Sequence, residues 1–203
     1  MAMPIEAFRP PFTVDLLFDL PESDLRFEVL EGQLVVSAAP QPVHNIAVDR
    51  LRTLLDRLVP DDVEVITNTA VRMPDGDGPI PDILVTTAEP AEHPRGIPAE
   101  LVHTTIEVVS PSNASDDRFK KPPMYARGGI PCYWRIELRP WREHLGATPV
   151  VVARLLADDG DWHTSLHPAG QVHAIPLIIE RNPAGLLPVE FDPAVLAGPK
   201  RQR

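Results

Sequence analysis

Two acidic residues and a nearby basic segment are the features of this chain whose spacing could support chemistry. Asp82 heads the apolar run PDILV, and Glu107 lies inside the later run TIEVVSPSN, which leads into the segment DDRFKKPPMYARGG. Two converging carboxylates can hold a hard divalent cation such as Mg²⁺. The cation can activate a water and steady charge on a phosphoryl oxygen, while a lysine orients that water or stabilises the developing charge. The pattern therefore favours a metal-dependent phosphodiesterase, and in particular a nuclease.

Glu107 is the more informative of the two acids. It follows Ile106 and precedes Val108, in a run that is suited to a buried strand. A buried carboxylate is costly unless it is paired or bound to a metal. Either a cation or a partner arginine must therefore satisfy Glu107, and Asp82 could equally be a turn residue or a cap at the start of its strand.

The lysines that follow admit two interpretations. Lys120 and Lys121 could form a solvated charge pair, or one of them could serve the site. Lys121 precedes Pro122, which predicts extended backbone at Lys121 in the loop after the Glu107 strand. From that loop a lysine can reach back to the strand end. Arg118 and Arg127 add positive charge to this segment, which makes it the expected resting place for a phosphate backbone.

Three further residues are weaker candidates for the edge of the site. His44 stands at the start of a predicted helix, where it could cap and pack or take part in the site. Glu28 could face solvent from a strand or support the metal ligands. Ser110 belongs to a Ser-Pro-Ser turn that lacks the G-x-S-x-G elbow of serine hydrolases, so its hydroxyl is expected to turn the chain or donate to a metal-bound water.

Strand patterns interleaved with helices predict a mixed α/β domain, with a central sheet flanked by at least two helices. Alternating or continuous apolar runs predict strands in RFEVLEGQLVVS (a hairpin), DVEVITNTAVRM, PDILVTT, LVHTTIEVVS, PCYWRIEL, VVARLLADDGDWHTSLH (two strands) and GQVHAIPLII (an edge strand).

Three helices are expected. A short one begins at Thr13, which would cap it. The clearest covers residues 43–59 and is expected to end at Pro60. A third has Pro122 at its first position and ends at Gly128. The apolar stripe of the long helix is predicted to comprise Ile46, Leu51, Leu54, Leu55 and Leu58.

Length and composition favour one domain in a reducing compartment. The 203 residues divide into an expected flexible arm at 1–12, a domain at 13–195 and a basic tail at 196–203. The single cysteine, Cys132, excludes an internal disulfide. The chain shows neither a signal-peptide pattern nor an apolar run of about 20 residues, so a cytoplasmic protein without membrane attachment is expected. The net charge of −10 counts against a broad basic surface for nucleic acid but allows a local basic cleft.

The combined pattern RFEVLEGQLVV…H…PDILV…IEVVSPS…DRFKKP…YARGGIPCYW resembles the Uma-two endonuclease family. This family is placed in the PD-(D/E)xK, or restriction-endonuclease-like, superfamily. The resemblance extends over Arg26–Trp134, about half of the chain. It implies a restriction-endonuclease-like fold, which is a mixed central sheet with helices on both sides, preceded here by a hairpin and followed by extra strands.

The resemblance also implies roles. Asp82 and Glu107 match the acidic residues that bind Mg²⁺, and a backbone carbonyl beside Glu107, from Val108, would be a further ligand. The superfamily's lysine usually lies two residues after the second acid, where this chain has Val109. The corresponding lysine is therefore displaced to Lys121.

The family pattern includes a histidine, a glutamate and a tyrosine at the positions of His44, Glu28 and Tyr125. The second proline in KKPP restricts the backbone beside the lysine, and Lys120 could take the role instead. Sequence alone does not choose between the two lysines.

These observations predict a Mg²⁺-dependent endonuclease that hydrolyses DNA, with Mn²⁺ as a substitute ion. A homodimer would let two sites address two strands. Two alternatives stay open. One is a nonenzymatic interaction module in which Glu107 pairs with a buried arginine or lysine and binds no metal. The other is a nuclease that acts on RNA or on branched DNA.

Overall fold

A six-stranded mixed sheet forms the centre of the molecule, as the sequence predicts. The structure, a computed structural model, describes residues 9–197, so the expected arm at 1–12 and tail at 196–203 lie largely outside the described residues. No helix within the described range is long and apolar enough to cross a membrane.

Twelve strands and three α-helices, with several short 3₁₀ turns, make up the regular structure of the described residues. The strands are β1 Arg26–Leu30, β2 Gln33–Ser37, β3 Glu64–Thr67, β4 Val71–Arg72, β5 Ile83–Thr86, β6 Ile97–Pro98, β7 Val102–Val108, β8 Cys132–Glu137, β9 Val150–Leu156, β10 Trp162–Pro168, β11 His173–Ile178 and β12 Leu186–Phe191. The helices are α1 Asp15–Asp19, α2 Pro42–Leu55 and α3 Lys121–Arg127, and a π-helical turn, Asp116–Lys120, runs directly into α3.

The central sheet has the strand order β10-β9-β8-β7-β5-β3. Only the β7–β8 pair is parallel, and the other neighbours run antiparallel. Three two-stranded sheets, β1–β2, β4–β6 and β11–β12, lie outside it. This is the mixed sheet with an N-terminal hairpin and extra C-terminal strands that the resemblance implies.

Alternating side chains of the central strands pack into two separate cores, one on each face of the sheet. On one face, Ile106 and Trp134 pack with α2 and the β11–β12 pair. On the opposite face, Leu84 and Tyr133 pack with the β1–β2 hairpin, β4, β6 and α3. Both faces of β7 are therefore covered, and all seven of its residues are buried.

The register of β5 against β7 positions the two acids. Ile83 pairs with Ile106 in an antiparallel ladder, so the start of β5 adjoins the end of β7. Asp82 precedes Ile83 and Glu107 follows Ile106, which places both acids at the same end of the sheet.

The hairpin forms with the predicted turn. Glu31 and Gly32 have φ values of 54° and 69°, as a two-residue type I′ turn requires. The side chain of Asp77 accepts hydrogen bonds from both of their amides, each at 2.8 Å. The turn thus fixes the register of β1, which carries Glu28.

The predicted stripe of the long helix is partly wrong. Helix α2 ends at Leu55, before Pro60, and Leu58 is 48% exposed in the turn that follows. Ile46 is also exposed, at 45%. The residues that face the core follow spacings of three and four along one side of the helix: His44, Ala47, Val48, Leu51 and Leu55.

Two other local predictions are wrong. Thr13 does not cap α1, which begins after Val14 without a side-chain cap. The expected strand DVEVITNTAVRM is broken between β3 and β4 at Asn68, whose φ of 51° is left-handed. The expected edge strand β11 has β12 as its one neighbour, in a two-stranded sheet outside the central sheet. Sequence inspection missed β12 because Pro188 and Glu190 interrupt its apolar pattern.

The buried side of α2 can be tested by two leucine substitutions. Leu51→Ala should lower the free energy of unfolding by about 2–5 kcal/mol, since Leu51 is fully buried. Leu58→Ala should cost less than about 1 kcal/mol because that side chain is half exposed. Urea denaturation measures both, and equal losses would contradict the observed helix orientation.

Candidate active site

Asp82 is a buried carboxylate held by three donors. Arg26 Nη1 donates to Oδ1 at 2.7 Å. Oδ2 accepts from the Val108 amide at 2.8 Å and from His44 Nε2 at 3.1 Å. These contacts tie β1, α2 and β7 to the start of β5.

Glu107 is bound to α3. Its Oε1 accepts hydrogen bonds from Lys121 Nζ at 3.0 Å and from Tyr125 Oη at 2.8 Å. The two donors are four residues apart and therefore lie on one side of the helix. A lysine on α3 thus meets the acid of β7, as the displaced-lysine assignment requires.

Lys121 is shared by three carboxylates. Besides Glu107, its Nζ lies 3.0 Å from Glu28 Oε1 and 3.3 Å from Asp117 Oδ1. The Lys121 side chain is only 1% exposed. Burial lowers the pKa of an ammonium group, but the charges of Glu107, Glu28 and Asp117 outweigh burial and raise the pKa of Lys121 well above its ordinary value. Lys121 therefore stays protonated.

The backbone at Lys121 is helical, with φ −64° and ψ −41°, so the prediction of extended geometry is wrong. Lys121 is the first residue of α3, and Pro122 and Pro123 follow within the first turn, one position later than predicted. The steric preference of a residue before proline is modest. The buried ion pairs of Lys121 and the continuity with the preceding π-helical turn offset it.

Lys120 does not reach the carboxylates of the site. Its side chain is 44% exposed and pairs with Asp116 at 2.8 Å on the same turn. The geometry therefore separates the two lysines that the sequence left equivalent. Ser110 lies at the edge of the site, and its Oγ is 2.9 Å from Ser112 Oγ.

Glu28 and His44 both lie inside the site. Glu28 is buried, so the interpretation of a solvent-facing strand residue is wrong. Its Oε1 also accepts from the Ile80 amide at 2.7 Å. His44 is buried at the start of α2, and although burial lowers its pKa, the hydrogen bond to Asp82 raises the pKa above the ordinary value.

Two residues of the site were missed by sequence reasoning, Arg26 and Asp117. Arg26 also donates from Nη2 to the Ile80 carbonyl. The spacing of each residue from a predicted site residue could have indicated it. Arg26 lies two residues before Glu28 and therefore shares its strand face. Asp117 lies four residues before Lys121, which is the spacing of one helical turn.

Asp82, Glu107 and Asp117 experience different electrostatic environments. Burial opposes ionisation of Asp82, but the hydrogen bond from His44 and the charge of Arg26 hold its pKa well below the ordinary value. Burial raises the pKa of Glu107 well above its usual range, with help from the charges of Asp117, Asp82 and Glu28 and against the charge of Lys121. Burial likewise raises the pKa of Asp117 to about 6. One lysine charge is insufficient for three neighbouring acids.

A small cavity separates the acids. It measures about 10 Å³, the size of a single water or small cation. Its wall includes Asp82, Glu107, Val108 and Asp117. Next to it lies an open groove of about 980 Å³, whose lining includes Arg26 and Asp82. The buried acids therefore lie beside a surface groove.

The donor set fits a hard divalent cation. The four carboxylates Glu28, Asp82, Glu107 and Asp117 face the permanent cations Arg26 and Lys121, which leaves two negative charges when all four acids are ionised. Carboxylate oxygens are the ligands that Mg²⁺ prefers.

The acids are not arranged as a finished metal site. Within residues 9–197 no three His, Cys, Asp or Glu side chains already stand together as metal ligands. Arg26 and Lys121 hold the oxygens that a cation would take. A cation could take these oxygens only by displacing those contacts.

Comparison with known proteins places the chain among nuclease-like sequences. A family model described as "Uma2: Putative restriction endonuclease" matches residues 14–173. The fold is similar to the crystal structure of "a putative nuclease belonging to DUF820" from Anabaena variabilis, with a TM-score of 0.64 and 16% sequence identity. That similarity covers 92% of this chain and 97% of the other, and it shows a shared fold. No curated protein matches the sequence.

Replacement of the two lysines should separate their roles in stability. Lys121→Met leaves three buried carboxylates without their cation and should cost about 3–5 kcal/mol of unfolding free energy. Lys120→Met removes an exposed pair and should cost less than about 0.5 kcal/mol. Chemical denaturation in EDTA measures both variants, and a Lys121→Met variant as stable as Lys120→Met would contradict the buried ion-pair network.

Arg26 is expected to act as the counter-ion of Asp82 in the metal-free protein. Arg26→Gln should lower the free energy of unfolding in EDTA by about 1–3 kcal/mol, because a buried carboxylate loses its cation. Added Mn²⁺ should recover more stability in this variant than in the parent. Arg72→Gln is the control, since it breaks the exposed pair with Asp15 and should cost less than about 1 kcal/mol. Equal losses in the two variants, without Mn²⁺ recovery, would refute this role.

Proposed function

The chain belongs to the Uma2 family, and on that premise we propose that it is a Mg²⁺-dependent endonuclease that hydrolyses phosphodiester bonds in DNA. One observation carries the proposal. Asp82 and Glu107, on neighbouring strands, border one small cavity together with an excess of negative charge, while Lys121 lies on Glu107. This is the combination of two acids and a lysine that metal-dependent phosphodiester hydrolysis needs.

The residues that would hold Mg²⁺ are Asp82, Glu107 and the carbonyl of Val108. The Val108 amide donates to Asp82. Because the N–H and C=O of one strand residue point to the same side, the Val108 carbonyl faces the start of β5 as well. When bound, Mg²⁺ would supply a more acidic water and charge stabilisation at the phosphoryl oxygens. Mn²⁺ would serve as a substitute because it accepts the same oxygen ligands.

The chain's own residues hold the remaining parts of the site in place. Lys121 keeps its proton, so it can position a water or stabilise negative charge that develops on phosphate. Tyr125 fixes the orientation of Glu107, and Glu28 fixes that of Lys121. His44 orients Asp82 from α2. The covering hairpin and α3 exclude bulk water, which strengthens these charge interactions.

The substrate would enter through the groove beside Asp82. Arg26 is a positive group on its wall, but Glu22, Asp24 and Asp49 also line the groove. With a net charge of −10 for the chain, binding to DNA in the absence of a divalent cation should be weak. The proposal therefore assigns both phosphate affinity and catalysis to the cation-loaded state.

A second candidate is an interaction module that keeps the fold without catalysis. The observation in its favour is the buried pair of Glu107 with Lys121, which satisfies Glu107 without a metal. The same lysine must also serve Glu28 and Asp117, so the pair leaves acidic charge unbalanced. This imbalance favours the metal-dependent nuclease.

A cleavage assay with a matched variant tests the proposal. The parent should nick supercoiled plasmid DNA with Mg²⁺ or Mn²⁺ and stop in EDTA. Asp82→Asn, which keeps the side-chain shape, should reduce the rate by roughly 100-fold or more. Asp56→Asn, which changes an exposed residue outside the groove lining, should keep parental activity.

Parallel reactions on single-stranded RNA and a branched DNA junction identify the substrate class. Cleavage of only one of those two substrates would show that it, and not plain duplex DNA, is what the protein hydrolyses. A folded parent that cleaves none of the three with either cation would favour the interaction module.

A further inference from the structure

Asp117 has a carboxylate that the protein alone leaves incompletely satisfied. The residue is only 2% exposed, and its Oδ1 is buried without a hydrogen-bond partner. Lys121 Nζ is 3.3 Å away from that oxygen, but it lies closer, at 3.0 Å, to both Glu107 and Glu28. A buried carboxylate oxygen with so weak a contact is costly unless another group binds it.

The same residue borders the cavity beside the proposed metal ligands. Asp117 lines the small cavity that also touches Asp82, Glu107 and Val108. Asp117, whose Oδ1 has only the longer contact with Lys121, therefore shares a cavity with the proposed metal ligands.

The backbone holds Asp117 in this position. It lies in the π-helical turn Asp116–Lys120, a rare geometry that is frequent at functional sites. The Tyr133 hydroxyl donates to the Asp117 carbonyl at 2.6 Å and anchors that turn to β8. Asp116, its neighbour, points elsewhere and pairs with Lys120 on the surface.

We propose that Asp117 is a third carboxylate ligand of the divalent cation, an inference that rests on the proposed metal-dependent function. Asp82, Glu107, Asp117 and the Val108 carbonyl would then give four protein oxygens. Mg²⁺ takes six ligands in octahedral geometry, which leaves two positions for water and a phosphate oxygen.

The assignment gives Lys121 two pairing states. Without a cation, Lys121 is the shared counter-ion of Glu28, Glu107 and Asp117. A bound cation would draw on the carboxylates of Glu107 and Asp117, and Lys121 would keep Glu28 as its main partner. Lys121 would then be less tightly held by carboxylates and could contact a phosphate oxygen.

Isothermal titration of the full chain with Mn²⁺ tests this ligand, with Asp116→Asn as the matched neighbour. Asp117→Asn should weaken Mn²⁺ binding about tenfold or more, because one anionic oxygen ligand is lost. Asp116→Asn should bind within about twofold of the parent, since Asp116 lies on the surface pair. Asp82→Asn should lose binding, and circular dichroism checks that each variant is folded.

The outcomes separate this inference from the proposed function. Binding by Asp117→Asn equal to that of the parent, with loss in Asp82→Asn, would overturn the ligand role of Asp117 and leave the metal site intact. No Mn²⁺ binding by the parent would overturn both. If Asp117→Asn does not fold, crystals of the parent soaked in Mn²⁺ decide the question. An anomalous peak within about 2.5 Å of an Asp117 carboxylate oxygen supports the inference, and a bound ion beyond that distance from both oxygens refutes it.

Discussion

A single buried lysine charge, shared among three carboxylates, is the constraint on which the rest of the site depends. Lys121 reaches Glu28 on the hairpin, Glu107 on the central sheet and Asp117 on the π-helical turn. Removal of the lysine would leave three buried carboxylates without a cation, so these three elements are held together by a common electrostatic requirement. The hairpin turn and the β5–β7 register serve this arrangement because they fix where Glu28 and Glu107 lie.

The same cluster contains more acidic than basic groups, and this imbalance lowers stability. Arg26 neutralises Asp82, but one lysine cannot neutralise three acids. Burial and the neighbouring acids therefore raise the pKa of Glu107 and of Asp117. A fold selected for stability alone would gain by replacing such a cluster with apolar side chains. Under the proposed function, the excess charge beside the small cavity would attract a divalent cation and, through it, phosphate.

Much of the fold was predictable from local sequence pattern, whereas the site was predictable only in part. The central strands and the hairpin turn at Glu31 are encoded by alternation and turn chemistry. Glu107 was predictable as a site residue because an acid inside an apolar strand needs a partner. The helical backbone at Lys121 was not predictable, because long-range ion pairs override the local effect of Pro122. Arg26 and Asp117 were missed for a related reason: each looks like an ordinary surface residue until the hairpin and the π-helical turn fold over the sheet.

The most direct test of this account is the stability of Glu107→Gln with and without Mn²⁺. If Glu107 contributes to an excess of buried negative charge, the neutral glutamine should leave the melting temperature in EDTA unchanged or raise it, and Mn²⁺ should stabilise the parent but not the variant. If Glu107 is only the ion-pair partner of Lys121, the substitution should instead cost about 3–5 kcal/mol, and Mn²⁺ should stabilise neither protein. The second result would contradict the central claim that this buried cluster is built to receive a cation.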